Sequence, residues 1–122
     1  MRVNSVCIIT QDVKRLETFY REVLKREASL STEQYVEFDI EGRIISFYDL
    51  AAYNDLADEP VILTKESHTF IEIEVEDVHQ EYEHLKSMNV KFGKKITTQP
   101  WGITSTYFYD PDGNLINFFS RE

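Results

Sequence analysis

Apolar and polar positions along this chain switch between two periods, and the switches mark out its elements. Residues 3–10 are rich in Val and Ile and predict a strand. Asp12 follows in an N-cap position, and Val13, Leu16, Phe19, Tyr20, Val23 and Leu24 then recur at spacings of three and four. That spacing gives one apolar helix face, with Lys14, Glu17 and Arg21 on the other side. Lys25 and Arg26 close the helix, where its dipole favours cations. Residues 28–32 predict a short strand and residues 35–40 a clearer one. Glu41-Gly42 makes a tight turn, and residues 43–50 return as the antiparallel partner. Residues 51–67 form the longest irregular stretch, with Asn54-Asp55, Asp58-Glu59-Pro60 and a small apolar piece, Val61-Ile62-Leu63. They read as a linker between two halves.

The second half repeats the order. Residues 69–75 alternate strictly, with Ile71, Ile73 and Val75 on one side and Phe70, Glu72 and Glu74 on the other. Asp77 is a second N-cap, with Gln80 placed to complete a capping box. Val78, Tyr82, Leu85 and Met88 make the apolar stripe of a helix that Asn89 ends. Residues 90–98 give another strand. In the last stretch Thr104, Thr106 and Phe108 alternate with Ser105, Tyr107 and Tyr109, and Asp110-Pro111-Asp112-Gly113-Asn114 supplies turn chemistry. Residues 115–120 complete the hairpin. The element order is β-α-β-β-β, linker, β-α-β-β-β, an α+β fold. Its halves form a weak internal repeat: Asp12-Val13 mirrors Asp77-Val78, and the turn at Gly42 mirrors that at Gly113.

At 122 residues the chain is read as a single domain, 1–122, made of two βαβββ modules at about 1–50 and 68–122. No run is apolar enough to span a membrane, and the first residues lack a signal-peptide pattern, so the expected location is cytoplasmic. The single cysteine, Cys7, excludes an internal disulfide and a cysteine-based zinc cluster, and reads as a small core residue. A net charge of −9 disfavours nucleic acid and anionic membranes as partners. It favours cationic small molecules, although solubility alone also accounts for it.

The element order, the Asp-Val pair opening each helix, Phe19-Tyr20 with Val23-Leu24, and the closing Asp110-Pro111-Asp112-Gly113-Asn114 resemble the vicinal oxygen chelate superfamily across the whole chain. That superfamily holds glyoxalase I, extradiol dioxygenases, fosfomycin-resistance enzymes and bleomycin-resistance binding proteins. Trp101-Gly102 is similar in placement to the bleomycin-resistance branch. The resemblance implies two curled mixed sheets forming an open cup, helices on its outer face, and frequent homodimers. Whether the modules pair within or between chains stays open. In the family's enzymes a divalent metal in the cup is held from the first and last strand of each half. Matched onto this sequence, those positions are Ser5, Ser46, Phe70 and Asn117. A hydroxyl or neutral amide is a poor donor to such a metal, and Phe offers none. The resemblance therefore implies a metal-free, ligand-binding member, with no cofactor and no catalytic residue assigned.

If those positions face the cup, alternation brings Cys7, Tyr48, Glu72, Glu74 and Phe119 to the same side. Glu72 is either an anchor for a cationic ligand or a carboxylate paired by Lys or Arg or by solvent. Trp101, between Pro100 and Gly102, either stacks on a planar ligand or caps the core. Tyr48 and Phe119 line the walls or simply pack. The expected binding set is Tyr48, Phe70, Glu72, Trp101, Asn117 and Phe119, taking an aromatic or cationic small molecule. Two other readings stand beside it: a metal-dependent lyase or isomerase using His68 and Glu72, and a ligand-free dimerisation or regulatory module.

Overall fold

Three buried aromatic rings tie the first half of the chain together. A computed structural model describes residues 1–121. The chain divides into two units, Met1–Thr64 and a second that begins at Lys65. In the first, the elements are β1 (Ser5–Thr10), α1 (Val13–Leu24), β2 (Leu30–Ser31), β3 (Tyr35–Ile40), β4 (Arg43–Asp49) and α2 (Leu50–Leu56). The sheet order is β1-β4-β3-β2, with β1 parallel to β4 and the other pairs antiparallel. A parallel pair needs a long crossover, and α1 lies within it. The Asp12 side chain accepts a hydrogen bond from Arg15 N and fixes the start of α1. At its other end Lys25 is left-handed and returns its N–H to Arg21 O. Val13, Leu16, Tyr20 and Val23 form the buried face. The Tyr20 ring lies 4.6 Å from Phe47 and 6.5 Å from Phe38, so helix and sheet meet through rings with no exposed surface.

The supposed linker opens with a helix. Asp49 caps α2 by accepting from Ala52 N, and Asn54 Oδ1 accepts from Val61 N. Asn54-Asp55, placed in the irregular stretch, lies inside the helix. With seven residues, none of them buried, α2 shows no apolar stripe to betray it. Cys7 also departs from its expected place in the core. It is exposed, because β1 is an edge strand and Cys7 lies on the sheet face turned away from α1.

The second unit repeats the winding: β5 (Phe70–Glu74), α3 (Val78–Ser87), β6 (Lys91–Thr98), β7 (Ile103–Tyr109) and β8 (Leu115–Arg121), in the order β5-β8-β7-β6. Again the first strand is parallel to the last. Asp77 caps α3 by accepting from His79 N and Gln80 N. Met88 is the C-cap, and Asn89 follows in the left-handed region at φ 57°. Val78 and Leu85 are buried, as are Phe108, Ile116 and Phe118 of the sheet. The β7–β8 turn is closed by Asp110, whose Oδ1 accepts from Asp112 N and Asn114 N and whose Oδ2 accepts from Asn114 Nδ2. Gly113 holds φ +91°, a conformation open to Gly, and a Cβ there would sit 3.2 Å from Lys65 O. The class is α+β, with the βαβββ order present twice and α2 added. Among the described residues no helix is long and apolar enough to cross a membrane.

Candidate functional site

Each sheet has one face beneath its helix and one turned away, and the second face carries the polar chemistry. In the second unit, register puts Glu72 opposite Asn117, Glu74 opposite Phe119, and Asn117 opposite Tyr107. Opposed residues share a face, so Phe70, Glu72, Glu74, Tyr107, Asn117 and Phe119 stand together. The division follows from alternation: β5 turns Ile71 and Ile73 toward α3 and leaves Phe70, Glu72 and Glu74 exposed. Phe70 is 47% exposed and meets Tyr107 edge-on at 5.4 Å.

Asn117 and Phe119 are the buried members of this face, 3% and 9% exposed. Asn117 Nδ2 donates to Glu72 Oε2 at 3.1 Å. A carboxylate only accepts, so the amide must turn its nitrogen toward Glu72. Oδ1 is then committed to the other side, where it is buried and has no donor. Arg121 Nε pairs with Glu74 at 3.2 Å and its guanidinium lies over the Phe119 ring. Among the described residues no cation pairs with Glu72.

In the first unit, Cys7 and Glu37 flank Ser46 on the face away from α1, and Tyr35 lies opposite Tyr48. Ser46 is fully buried. The Tyr35 hydroxyl donates to Glu37 Oε2 at 2.6 Å. Burial, then this bond and the charge of Glu37, push the Tyr35 phenol above its usual pKa. The Ser46 hydroxyl lies close enough to temper that rise, yet its Oγ has no hydrogen-bond partner of good geometry.

Ser5 and Ser46 thus share a face in one unit, and Phe70 and Asn117 share a face in the other. Neither pair fits a divalent metal: two hydroxyls in the first unit, and an amide and a benzyl ring in the second, supply no imidazole, thiolate or carboxylate. Among the described residues no three His, Cys, Asp or Glu side chains converge within either unit. His68 is exposed, with Nε2 3.9 Å from Glu66 Oε2.

Of the residues singled out from sequence, Phe70, Glu72, Asn117 and Phe119 share one face. Tyr48 belongs to the first unit. Trp101 stands in the turn between β6 and β7, 71% exposed. Sequence reasoning missed Glu37 and Tyr53, and it left Tyr35 and Tyr107 without a face. The signal for Glu37 was available, since counting outward from the Glu41-Gly42 turn puts it opposite Ser46. Tyr53 lay in the stretch taken for a linker.

Comparison with known proteins decides the family. The model of the Glyoxalase/Bleomycin resistance protein/Dioxygenase superfamily matches residues 2–118. The chain belongs to that superfamily. A relative within reach is "Uncharacterized protein YwbC" of Bacillus subtilis (strain 168), 29% identical over 98% of each chain. Among solved structures, a protein of unknown function from Agrobacterium tumefaciens str. C58 superposes with TM-score 0.84 at 21% identity, covering 100% of this chain and 95% of that one. A lactoylglutathione lyase from Agrobacterium tumefaciens gives TM-score 0.74 at 19% identity, covering 98% and 92%. At such identities a shared structure shows the fold, and superfamily folds host many activities. Two four-stranded mixed sheets, each with its first strand parallel to its last, are this superfamily's order of elements seen in full.

Proposed function

We propose that this superfamily member binds a small aromatic or cationic molecule without a metal, anchored by Glu72 and Asn117 on the open sheet face of the second module. One observation carries the reading: Asn117 Oδ1 is a buried acceptor with no donor, beside a carboxylate with no cation. An unmet acceptor of this kind costs about 1–3 kcal/mol. A ligand N–H seated there removes that cost, and a positive charge on the same ligand is met by Glu72. Phe70, Tyr107 and Phe119 supply ring surface around it, each Å² of buried apolar area adding about 25 cal/mol. Trp101 is assigned as an exposed ring that stacks on the ligand's outer side. The family's frequent dimerisation extends the proposal to a homodimer.

The lyase or isomerase reading needs His68 and Glu72 with a third ligand, and among the described residues no group of three His, Cys, Asp or Glu could hold a metal. The test is calorimetry with benzamidine, a planar cation with N–H donors, against benzoate. Benzamidine should bind, benzoate should not, and Glu72→Gln should abolish the difference. In parallel, stoichiometric tight uptake of zinc, nickel or manganese would contradict the metal-free part of the proposal. Light scattering at working concentration reads the oligomeric state.

A further inference from the structure

The second sheet ends on a strand whose charge runs against that of the chain. β6 is the outer strand of the order β5-β8-β7-β6, with β7 on one side and no strand on the other among the described residues. Such an edge leaves a row of backbone N–H and C=O groups without ladder partners. The net charge is −9, yet residues 84–109 hold Lys86, Lys91, Lys94 and Lys95 and no Asp or Glu. Lys86 pairs with Glu83 at 3.0 Å. Among the described residues no carboxylate pairs with Lys91, Lys94 or Lys95. The strand is also two-sided. Lys91 lies opposite Tyr109, with Nζ 5.0 Å from the centre of that ring, and a register shift between Phe92 and Lys94 sets Lys94 opposite Tyr107. Both lysines therefore stand on the open face. Phe92 lies opposite the buried Phe108, on the α3 side, where its ring is 4.9 Å from that of the half-buried Tyr82.

We propose that the unpaired edge of β6 docks an extended peptide in which acidic and apolar residues alternate, added to the sheet as a further strand. Backbone hydrogen bonds hold a strand at such an edge, and side chains choose which strand it is. Successive side chains of a strand point to opposite faces. An alternating peptide laid along β6 therefore brings its carboxylates to Lys91 and Lys94 on one face and its apolar groups to Phe92 and Tyr82 on the other. Lys95, exposed where the register shifts again, adds to the positive field. Edge lysines repel a like edge, which keeps two β6 strands apart, and the same charges favour an acidic strand. Other occupants use less of the surface. A phosphate or a phospholipid headgroup meets the lysines but leaves the edge backbone and the apolar side unused. β5 of a second copy has the required alternation, but its Glu72 already accepts from Asn117 and its Glu74 is paired with Arg121.

The test is a backbone-amide NMR titration of the whole chain with an acetylated and amidated hexapeptide of alternating Glu and Val. Saturable shifts confined to β6, β7 and the neighbourhood of Tyr82 support the site. So does binding at least about tenfold weaker for the hexapeptide of alternating Lys and Val. Alternate N–H groups of a strand face the same neighbour, so of two peptides N-methylated at every Glu or at every Val, one should bind at least about tenfold more weakly. The double variant Lys91→Glu, Lys94→Glu should weaken binding at least about tenfold. Lys91→Gln, at an exposed position that keeps the fold, should weaken it about threefold. Equal binding of the acidic and basic peptides, no loss with either N-methylated peptide, or unchanged binding in both variants overturns the proposal. So do the same shifts from inorganic phosphate or phosphatidylserine vesicles, which would make the edge a general anion site. Concentration-dependent shifts of β5 and β6 without peptide would give the edge to a second copy and overturn it as well. The lysine variants leave Glu72 and Asn117 in place, so benzamidine binding and peptide binding stand or fall separately.

Discussion

Asn117 Nδ2 donates to Glu72 Oε2 at 3.1 Å across 45 residues of sequence, and this bond leaves the other end of the amide without a donor. The arrangement sits on neighbouring parallel strands, β5 and β8, so both side chains are held from a rigid sheet. An evolved core seldom leaves such an acceptor unmet. Its presence on an open face, next to a carboxylate, is the physical basis for reading the face as a binding surface.

Asn117→Leu separates a structural role from a binding one. Leucine keeps the branching and heavy-atom count of asparagine and removes both the donor to Glu72 and the unmet oxygen. Losing the bond to a charged acceptor costs about 1.5–3 kcal/mol, and losing a buried orphan recovers about 1–3 kcal/mol. The expected stability change is therefore within about 1 kcal/mol in urea denaturation. Benzamidine affinity should fall at least tenfold, roughly the worth of one charge-assisted contact. A fall in stability of several kcal/mol would mark Asn117 as a structural residue.

The Asp110 turn stakes out a purely structural prediction. Asp110 is buried and accepts three hydrogen bonds from Asp112 and Asn114. Asp110→Ala leaves these three donors without their acceptor at once, with an expected loss of about 2–4 kcal/mol. Asp110→Asn keeps one acceptor oxygen and should lose about half of that. Urea midpoints compared at constant slope report both values. An alanine variant as stable as the parent would show that the turn is held by its Pro and Gly alone.

What the sequence made legible follows from which signals are local. The Asp12 and Asp77 caps were readable because a cap and its first turn are contiguous, and both side chains accept as expected. Strict alternation in residues 69–75 gave the two faces of β5, because a one-residue slip would expose Ile71 and Ile73. Helix α2 was not legible. It buries no residue, so the apolar period that reveals α1 is missing, and Asn54-Asp55 has turn chemistry wherever it falls. Cys7 was misplaced because its composition was read without knowing that β1 is an edge strand. The Glu72–Asn117 bond needed the parallel register of strands far apart in sequence, which no local pattern supplies. The tyrosines could be counted but not assigned to faces. Register places Tyr35 and Tyr107 on the open faces and Phe38 in the core.

Trp101 offers a reporter, since it is the only tryptophan and is 71% exposed. Trp101→Ala should change stability by less than about 0.5 kcal/mol, as expected for a surface ring. Emission from the unliganded protein should be that of indole in water. Saturating benzamidine should move it to shorter wavelength if the ring stacks on the ligand. Unmoved emission at saturation would take Trp101 out of the site and leave the Glu72–Asn117 anchor untouched.

Tyr35 gives the pH dependence. Its phenol is raised above the ordinary value of 10.0, by burial first and then by the Glu37 bond and charge. Between 10.0 and that raised value the folded chain holds a proton that the unfolded chain has lost. Stability therefore falls with pH across this window, and the contribution is complete below the unfolded value. Tyr35→Phe should remove this part of the alkaline slope in urea denaturation at stepped pH. In a titration followed by phenolate absorbance, the same variant should lack the late-ionising tyrosine. Glu37→Gln removes the negative charge and one of two acceptor oxygens, so the late step should move back toward 10.0, whereas Ser46→Ala removes a neighbour that lowers the pKa and should move it further up. A late step that persists in Tyr35→Phe would assign it to another of the seven tyrosines and would break the link between the Tyr35–Glu37 bond and alkaline stability.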